Sequence, residues 1–155
     1  MSGDILEFRI KRIKDVAFYV NENLYINDPG KQMQIELNPV LAHNVDDNTV
    51  AIIVRAFYHY DGTEPVPANT MLDIQVQNIF EIGGLRNYLN ENNILVLPQQ
   101  TIIALMSLSL SHTRALAAKN AAGTALQDFI MPVFNPEEAA RFFFPYMFSD
   151  PGSVK

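Results

Sequence analysis

The sequence predicts an α+β fold: a four-stranded antiparallel sheet followed by a long helix, an extended connector and a short C-terminal helix. Three observations carry that prediction. Apolar residues recur every second position through the first 82 residues, the spacing that gives a strand one buried face. Residues 99–120 then run without Gly or Pro, so nothing stops a long helix there. Finally, Asn135-Pro136-Glu137-Glu138 opens a second helix: Asn caps exposed amides, Pro suits the first helical position, and both carboxylates meet the positive end of the helix dipole.

In the first strand Leu6, Phe8 and Ile10 alternate with Glu7, Arg9 and Lys11, the phase slips across residues 12–15, and Val16, Phe18 and Val20 resume it. A bulge or bend accounts for the slip. After the turn cluster Asn27-Asp28-Pro29-Gly30, a second strand runs through Met33, Ile35 and Leu37 to a break at Asn38-Pro39, with Val40-Leu41 as its continuation. The third covers Val50 to Tyr60, with Val50, Ile52, Val54, Ala56 and Tyr58 on one face. A fourth carries Leu72, Ile74 and Val76 and ends at Gly83-Gly84. Four strands in succession suggest a meander. A short helix is expected within residues 85–92, Pro98 in the first turn of the long helix, and Pro145 at the end of the last one.

With 155 residues, the chain has the length of one ordinary domain, here taken as residues 1–148 with a polar tail at 149–155. A hydrophobic content of 48% excludes disorder over most of it. Eleven Lys and Arg against 17 Asp and Glu leave a net charge of −6, which argues against nucleic acid as a partner. The absence of Cys excludes disulfides, thiolate metal sites and cysteine nucleophiles. The N-terminus mixes charges into its apolar residues and lacks the h-region of a signal peptide, and no unbroken apolar run is longer than that from Ile102 to Met106, far short of a bilayer span. A cytoplasmic protein without membrane insertion is therefore expected.

No phosphate loop, dinucleotide fingerprint, nucleophile elbow or His-Glu-x-x-His motif occurs. His43, His59 and His112 sit in separate elements without ligand-like spacing. The expectation is a protein without catalysis, cofactor or metal. Three features ask instead for a partner. Strands three and four are apolar on both faces, with one long and one short helix to cover them. Ser107, Ser109, Ser111, His112 and Thr113 interrupt the apolar residues of the long helix on nearly every side, which suits close packing in a homo-oligomer. Large apolar side chains crowd the end of the chain, and consecutive Phe142, Phe143 and Phe144 cannot share one helix face when each residue advances ~100°. Some must line a surface, as an apolar groove that tolerates many sequences.

The order of Phe8-Arg9-Ile10-Lys11-Arg12-Ile13, Ile79-Phe80-Glu81-Ile82, Asn93-Ile94-Leu95, Ser111-His112-Thr113-Arg114 and Pro132-Val133-Phe134-Asn135-Pro136 resembles the SecB-type chaperones. The likeness covers most of the chain and favours the SecB-like branch over the export chaperone proper. It implies a homotetramer, a dimer of dimers with long helices between two sheets, and places Met106, Ser109, Leu110 and Thr113 at the interface between copies. It also implies ATP-independent holding of unfolded or precursor polypeptides, without a cofactor, by Phe129, Met131, Val133, Phe134, Phe142 and Tyr146. Export-type members dock on the motor ATPase SecA through acidic residues of the sheet. Asp15 and Asp73 fall at matching positions, whereas Tyr19 stands at another and the tail lacks the basic terminus. Other SecB-like proteins protect an antitoxin. The residues alone also admit a scaffold for one defined partner, or a small-molecule site built on Arg55, His59 and Asp73.

Overall fold

Strand β3 (Thr49–Tyr60) pairs with β4 (Leu72–Ile82) on one side and β2 (Met33–Asn44) on the other, all antiparallel. In the computed structural model, which describes residues 5–26, 28 and 30–149, strand β1 (Phe8–Val20) lies against β4, giving the order β1-β4-β3-β2. This corrects the expected meander. Alternation marks β1 as a strand but does not name its partner, and residues 21–32 are long enough to carry the chain across the end of the sheet to the opposite edge. The crossing is pinned twice. Asn21 N donates to the Met71 carbonyl at 2.7 Å, and the Tyr60 hydroxyl bonds both the amide and the carbonyl of Ile26, at 2.6 and 3.1 Å.

β3 and β4 alternate as their sequences require. Val50, Ile52, Val54, Ala56 and Tyr58, with Leu72, Ile74, Val76, Phe80 and Ile82, are buried on one face. The polar member of that face is Asn78, also fully buried. β2 runs through Asn38-Pro39 without interruption, because an edge strand has one row of amides that needs no ladder partner. β1 has two bulges, at Lys11 and Val16, where the single slip was expected. Each moves the alternation by one residue. After β4, Gly84 takes a left-handed conformation with φ of 70° and starts the 3-10 turn Leu85–Tyr88, which stands in place of the expected short helix.

Helix α1 (Gln99–Ala121) crosses the buried face. Ile102, Leu105, Met106, Ser109, Leu110, Thr113, Ala117 and Ala121 are buried at helical spacing. Thr113 Oγ1 donates to the Ser109 carbonyl at 2.7 Å, which removes the cost of burying its hydroxyl. The helix is long and apolar enough to cross a membrane by length and composition, but here one side of it is buried in the protein's own core. Residues 122–135 then lead to α2 (Pro136–Phe143). Asn135 Oδ1 accepts from the amides of Glu137 and Glu138 at 3.0 and 3.1 Å, and Glu137 pairs with Arg141 one turn on at 3.0 Å. Pro145 follows in a closing 3-10 turn, so the expected end of the helix holds. Of the polar tail, only Ser149 lies among the described residues.

Candidate functional site

β2 packs against β3 along one edge, and among the described residues no strand pairs with its other edge. Its inward-facing residues Met33, Ile35 and Leu37 stay half-exposed because α1 crosses the sheet without covering them fully. The connector and α2 lie over this strip and leave an open groove. One cavity of about 370 Å³ lies between Met33 and Ile35 on β2 and Phe129, Ile130, Pro132 and Phe134 on the connector. A second of about 320 Å³ lies between Ile35 and Leu37 and Phe134, Ala139, Phe142 and Phe143. Ile35 and Phe134 line both, so the two adjoin. On the far side of the connector, Phe134 also lines a smaller cavity of about 90 Å³ with Ser107, Ser111 and Arg114 of α1.

The groove is apolar with a charged rim. Asp128 borders the first cavity, and Glu36 and Glu138 border the second. Large apolar groups of the connector and the C-terminal segment stand open to solvent: Val133 is 80% exposed, Phe142 76%, Ile130 68% and Tyr146 43%, and Ile130 and Phe142 line the groove. Isolated exposed apolar residues are ordinary, but several in one short segment mark an interaction surface. Phe142 stands edge-on to Phe143, with ring centres 4.9 Å apart. Phe129 packs edge-to-face on Tyr25 at 5.8 Å, which holds the start of the connector. Burial raises the Tyr146 phenol above its ordinary pKa.

Of the six residues expected to hold a client, Phe129, Phe134 and Phe142 line this groove, Val133 lines the small cavity behind the connector, Tyr146 is exposed but lines none of the three cavities, and Met131 is buried. Met131 is 3% exposed and packs into the core cluster around Tyr58, Ile74 and Leu126. The reason is local. The connector has no ladder to fix its alternation, so the neighbours it meets decide which side chains turn inward. The residues that sequence reasoning missed are Met33, Ile35, Leu37, Ile130 and Phe143. The β2 alternation was a usable signal for the first three, but nothing in it says that the inward face goes uncovered.

Two other sets of expected sites need correction. Met106, Ser109, Leu110 and Thr113 are 0–5% exposed within their own protomer, leaving no surface to offer a second copy. The outward face of α1 instead carries Ala104, Ser107, Ser111, Ala115 and Ala118. Asp15 and Asp73 do not form one acidic face. The bulge at Lys11 turns Asp15 to the helix side, where it accepts from Asn120 Nδ2 at 2.8 Å, and that hydrogen bond holds its carboxyl below the usual range. Asp73 lies on the opposite face and is gripped by Arg55 through bonds of 2.6, 3.0 and 3.2 Å.

The small-molecule reading placed Arg55, His59 and Asp73 around a pocket, but their polar atoms are already engaged. Arg55 closes on Asp73 and lies 5.2 Å from the Phe57 ring centre. His59 is buried, with Nδ1 3.0 Å from the Tyr60 carbonyl and Nε2 3.2 Å from Glu36. Among the described residues, no three His, Asp or Glu side chains gather as a metal site.

No protein-family model matches the sequence, and no curated protein matches it. Among solved structures, the chain is similar to a SecB-like chaperone of Mycobacterium tuberculosis, solved in complex with a ChAD peptide from the HigA1 antitoxin. The superposition has a TM-score of 0.56 at 8% sequence identity and covers 82% of this chain and 90% of that one. At that identity the likeness is one of architecture, and it establishes that this chain has the SecB-like α+β fold.

Proposed function

We propose that the protein is a cytoplasmic, ATP-independent holdase that takes extended segments of unfolded polypeptides into the groove beside β2. The observation that carries this reading is the groove itself: two adjoining apolar cavities next to a free strand edge, bordered by the exposed side chains of Ile130 and Phe142. An extended client can bury side chains there at ~25 cal/mol per Å² and present its backbone to the edge of β2. Such a protein favours the unfolded state by mass action and needs no nucleotide. The test is aggregation of a chemically unfolded client, with Phe134→Ser plus Phe142→Ser compared against wild type after fold and assembly are checked. Strong suppression by the wild type and loss of it in the variant is expected; undiminished capture by the variant removes the assignment.

A second reading, service to one dedicated partner such as an antitoxin, is favoured by the peptide bound in the M. tuberculosis structure. A single tight client in pull-downs separates it from general holding.

Assembly into a homo-oligomer, a dimer of dimers, belongs to the same proposal. Two uncovered surfaces support it. On β1, Ile10, Ile13 and Phe18 are exposed on the helix side of the sheet, and α1 turns its row of small residues outward. Small side chains let helices approach closely.

A further inference from the structure

We infer that the outer face of the sheet, on the side away from α1, docks an acidic amphipathic helix of a partner protein, with its apolar stripe across Ile79, Ile53 and Val40 and its carboxylates against Arg12 and Lys14. This face lies on the other side of the sheet from the groove and does not depend on it.

α1 and α2 pack on the side of Val50, Ile52, Val54 and Phe80, so neither helix covers the opposite side. The strand register sets out what stands there. One row across the sheet runs Arg12, Ile79, Ala51, Ala42, and the next runs Lys14, Gln77, Ile53, Val40. A solvated face of an antiparallel sheet ordinarily turns polar residues outward. Here β2, β3 and β4 turn Val, Ile and Ala outward instead, with Val40 52% exposed, and β1 ends both rows with a cation.

The charges on this face do not balance. Its three strand carboxylates are each engaged: Glu81 by Arg9 at 2.9 Å, Asp73 by Arg55 at 2.6 Å and Glu36 by His59 Nε2 at 3.2 Å. Arg12 and Lys14 form no ion pair among the described residues. Arg9, Lys11, Arg12 and Lys14 belong to the 11 basic residues of a chain with a net charge of −6, so β1 is a local positive stripe on an acidic protein. Two free cations are too few to hold such a chain on an anionic membrane or a nucleic acid, but they match a pair of carboxylates on a partner.

The apolar strip crosses the strands and is not a strand edge, so a partner strand cannot extend the sheet there. A helix laid over the face can. The two rows are roughly 6.6 Å apart, within the ~10 Å width of a helix, and β1 lies roughly 14 Å from β2, the length of about ten helical residues. Ala51 and Ala42 let the helix come close.

The test uses fluorescein-labelled helical peptides of about 18 residues, with one Leu stripe in an Ala background and Glu, Gln or Lys at the same flanking positions. Binding is followed by anisotropy. At ~50 mM salt the Glu peptide should bind about tenfold more tightly than the Lys peptide, and the difference should shrink at ~200 mM. Arg12→Glu plus Lys14→Glu should reverse the order, and Val40→Asp should weaken all three peptides. The groove variant Phe134→Ser plus Phe142→Ser should leave the order unchanged. If charge reversal unfolds the chain, Arg12→Gln plus Lys14→Gln should level the Glu and Lys peptides. No binding, equal binding of the Glu and Lys peptides, or a preference that survives the charge variants overturns the inference and leaves the holdase reading standing. Loss of binding in the groove variant also overturns it, because the peptide is then held as a client. Capture by phosphatidylserine vesicles without capture of the Glu peptide assigns the face to a membrane, and an oligomer that dissociates on Val40→Asp assigns it to a second copy; either outcome overturns it.

Discussion

Asn78 and His112 meet between the sheet and α1, with the imidazole Nδ1 2.8 Å from the amide Oδ1. Asn78 Nδ2 donates to the Ile52 carbonyl at 3.1 Å, which turns Oδ1 toward the helix and leaves it only an accepting role. His112 must therefore donate from Nδ1, and in the neutral ring its Nε2 is the unprotonated nitrogen. A fully buried Asn on a core face is costly unless it is bonded, and this pair supplies the bond.

The pair predicts a pH dependence. Burial lowers the His112 pKa below its ordinary value of 6.5. Between the folded and unfolded values the unfolded chain binds more protons, so stability is fully present above the unfolded value and falls as pH drops toward the folded one. His112→Gln keeps a side-chain donor and removes the titration. Urea unfolding from pH 7 to pH 5 should show a shallower loss of stability in the variant than in the wild type. His43 and His59 remain in both chains and cancel in the comparison. Equal slopes would mean that His112 takes its proton as readily folded as unfolded.

Met131 and Phe142 should separate packing from holding. Met131→Ala opens the core and should cost ~2–5 kcal/mol, read from denaturant unfolding. Phe142→Ser removes a ring that is 76% exposed, so stability should change by about 0.5 kcal/mol or less while client capture falls. The opposite pattern, a stability loss at Phe142 with capture intact, would mean that this ring serves the fold.

The N-cap of α2 sets one wall of the groove. Asn135→Ala leaves the amides of Glu137 and Glu138 without their shared acceptor and should cost ~0.5–2 kcal/mol. Hydrogen exchange should rise in the first turn of α2 and stay unchanged in β3 and β4. Exchange that rises everywhere would show instead that α2 unfolds only with the whole protein.

What was legible in the sequence follows from which interactions are local. Strand alternation, the Gly-free and Pro-free stretch of α1 and the Asn135-Pro136 cap are local, and each element formed where expected. Asp15 shows where local reasoning stops. Counting in twos from Arg9 puts Asp15 on the face of Asp73, and the bulge at Lys11 reverses that. The inward face of α1 was hidden for another reason. Ser109 and Thr113 are polar yet buried, so the helix has almost no apolar stripe to read, and only the sheet beneath it settles which side turns inward. Met131 and Val133 share the same two-residue phase and end on opposite sides, because an extended connector takes its orientation from tertiary neighbours. The groove depends on the gap between β2 and the connector, and that gap is encoded in no single segment.

β1 offers the sharpest test of assembly. Ile10, Ile13 and Phe18 are 44%, 41% and 37% exposed on the helix side of the sheet, whereas Arg12 and Lys14 point to the opposite face. The cations therefore do not obstruct a second copy approaching the apolar side, and burial of one such side chain is worth ~1.5–3 kcal/mol at each of two symmetric contacts. Ile13→Asp places a carboxylate in that contact without entering the protomer's core. Sedimentation should show the wild type as an oligomer and the variant as a smaller species, with unchanged circular dichroism for the variant. A single-chain mass for the wild type at tens of micromolar would end the assembly proposal. An unchanged oligomer in the variant would move the interface away from β1, toward the row of Ala104, Ser107, Ser111, Ala115 and Ala118 on α1, where Ser111→Arg is the corresponding test.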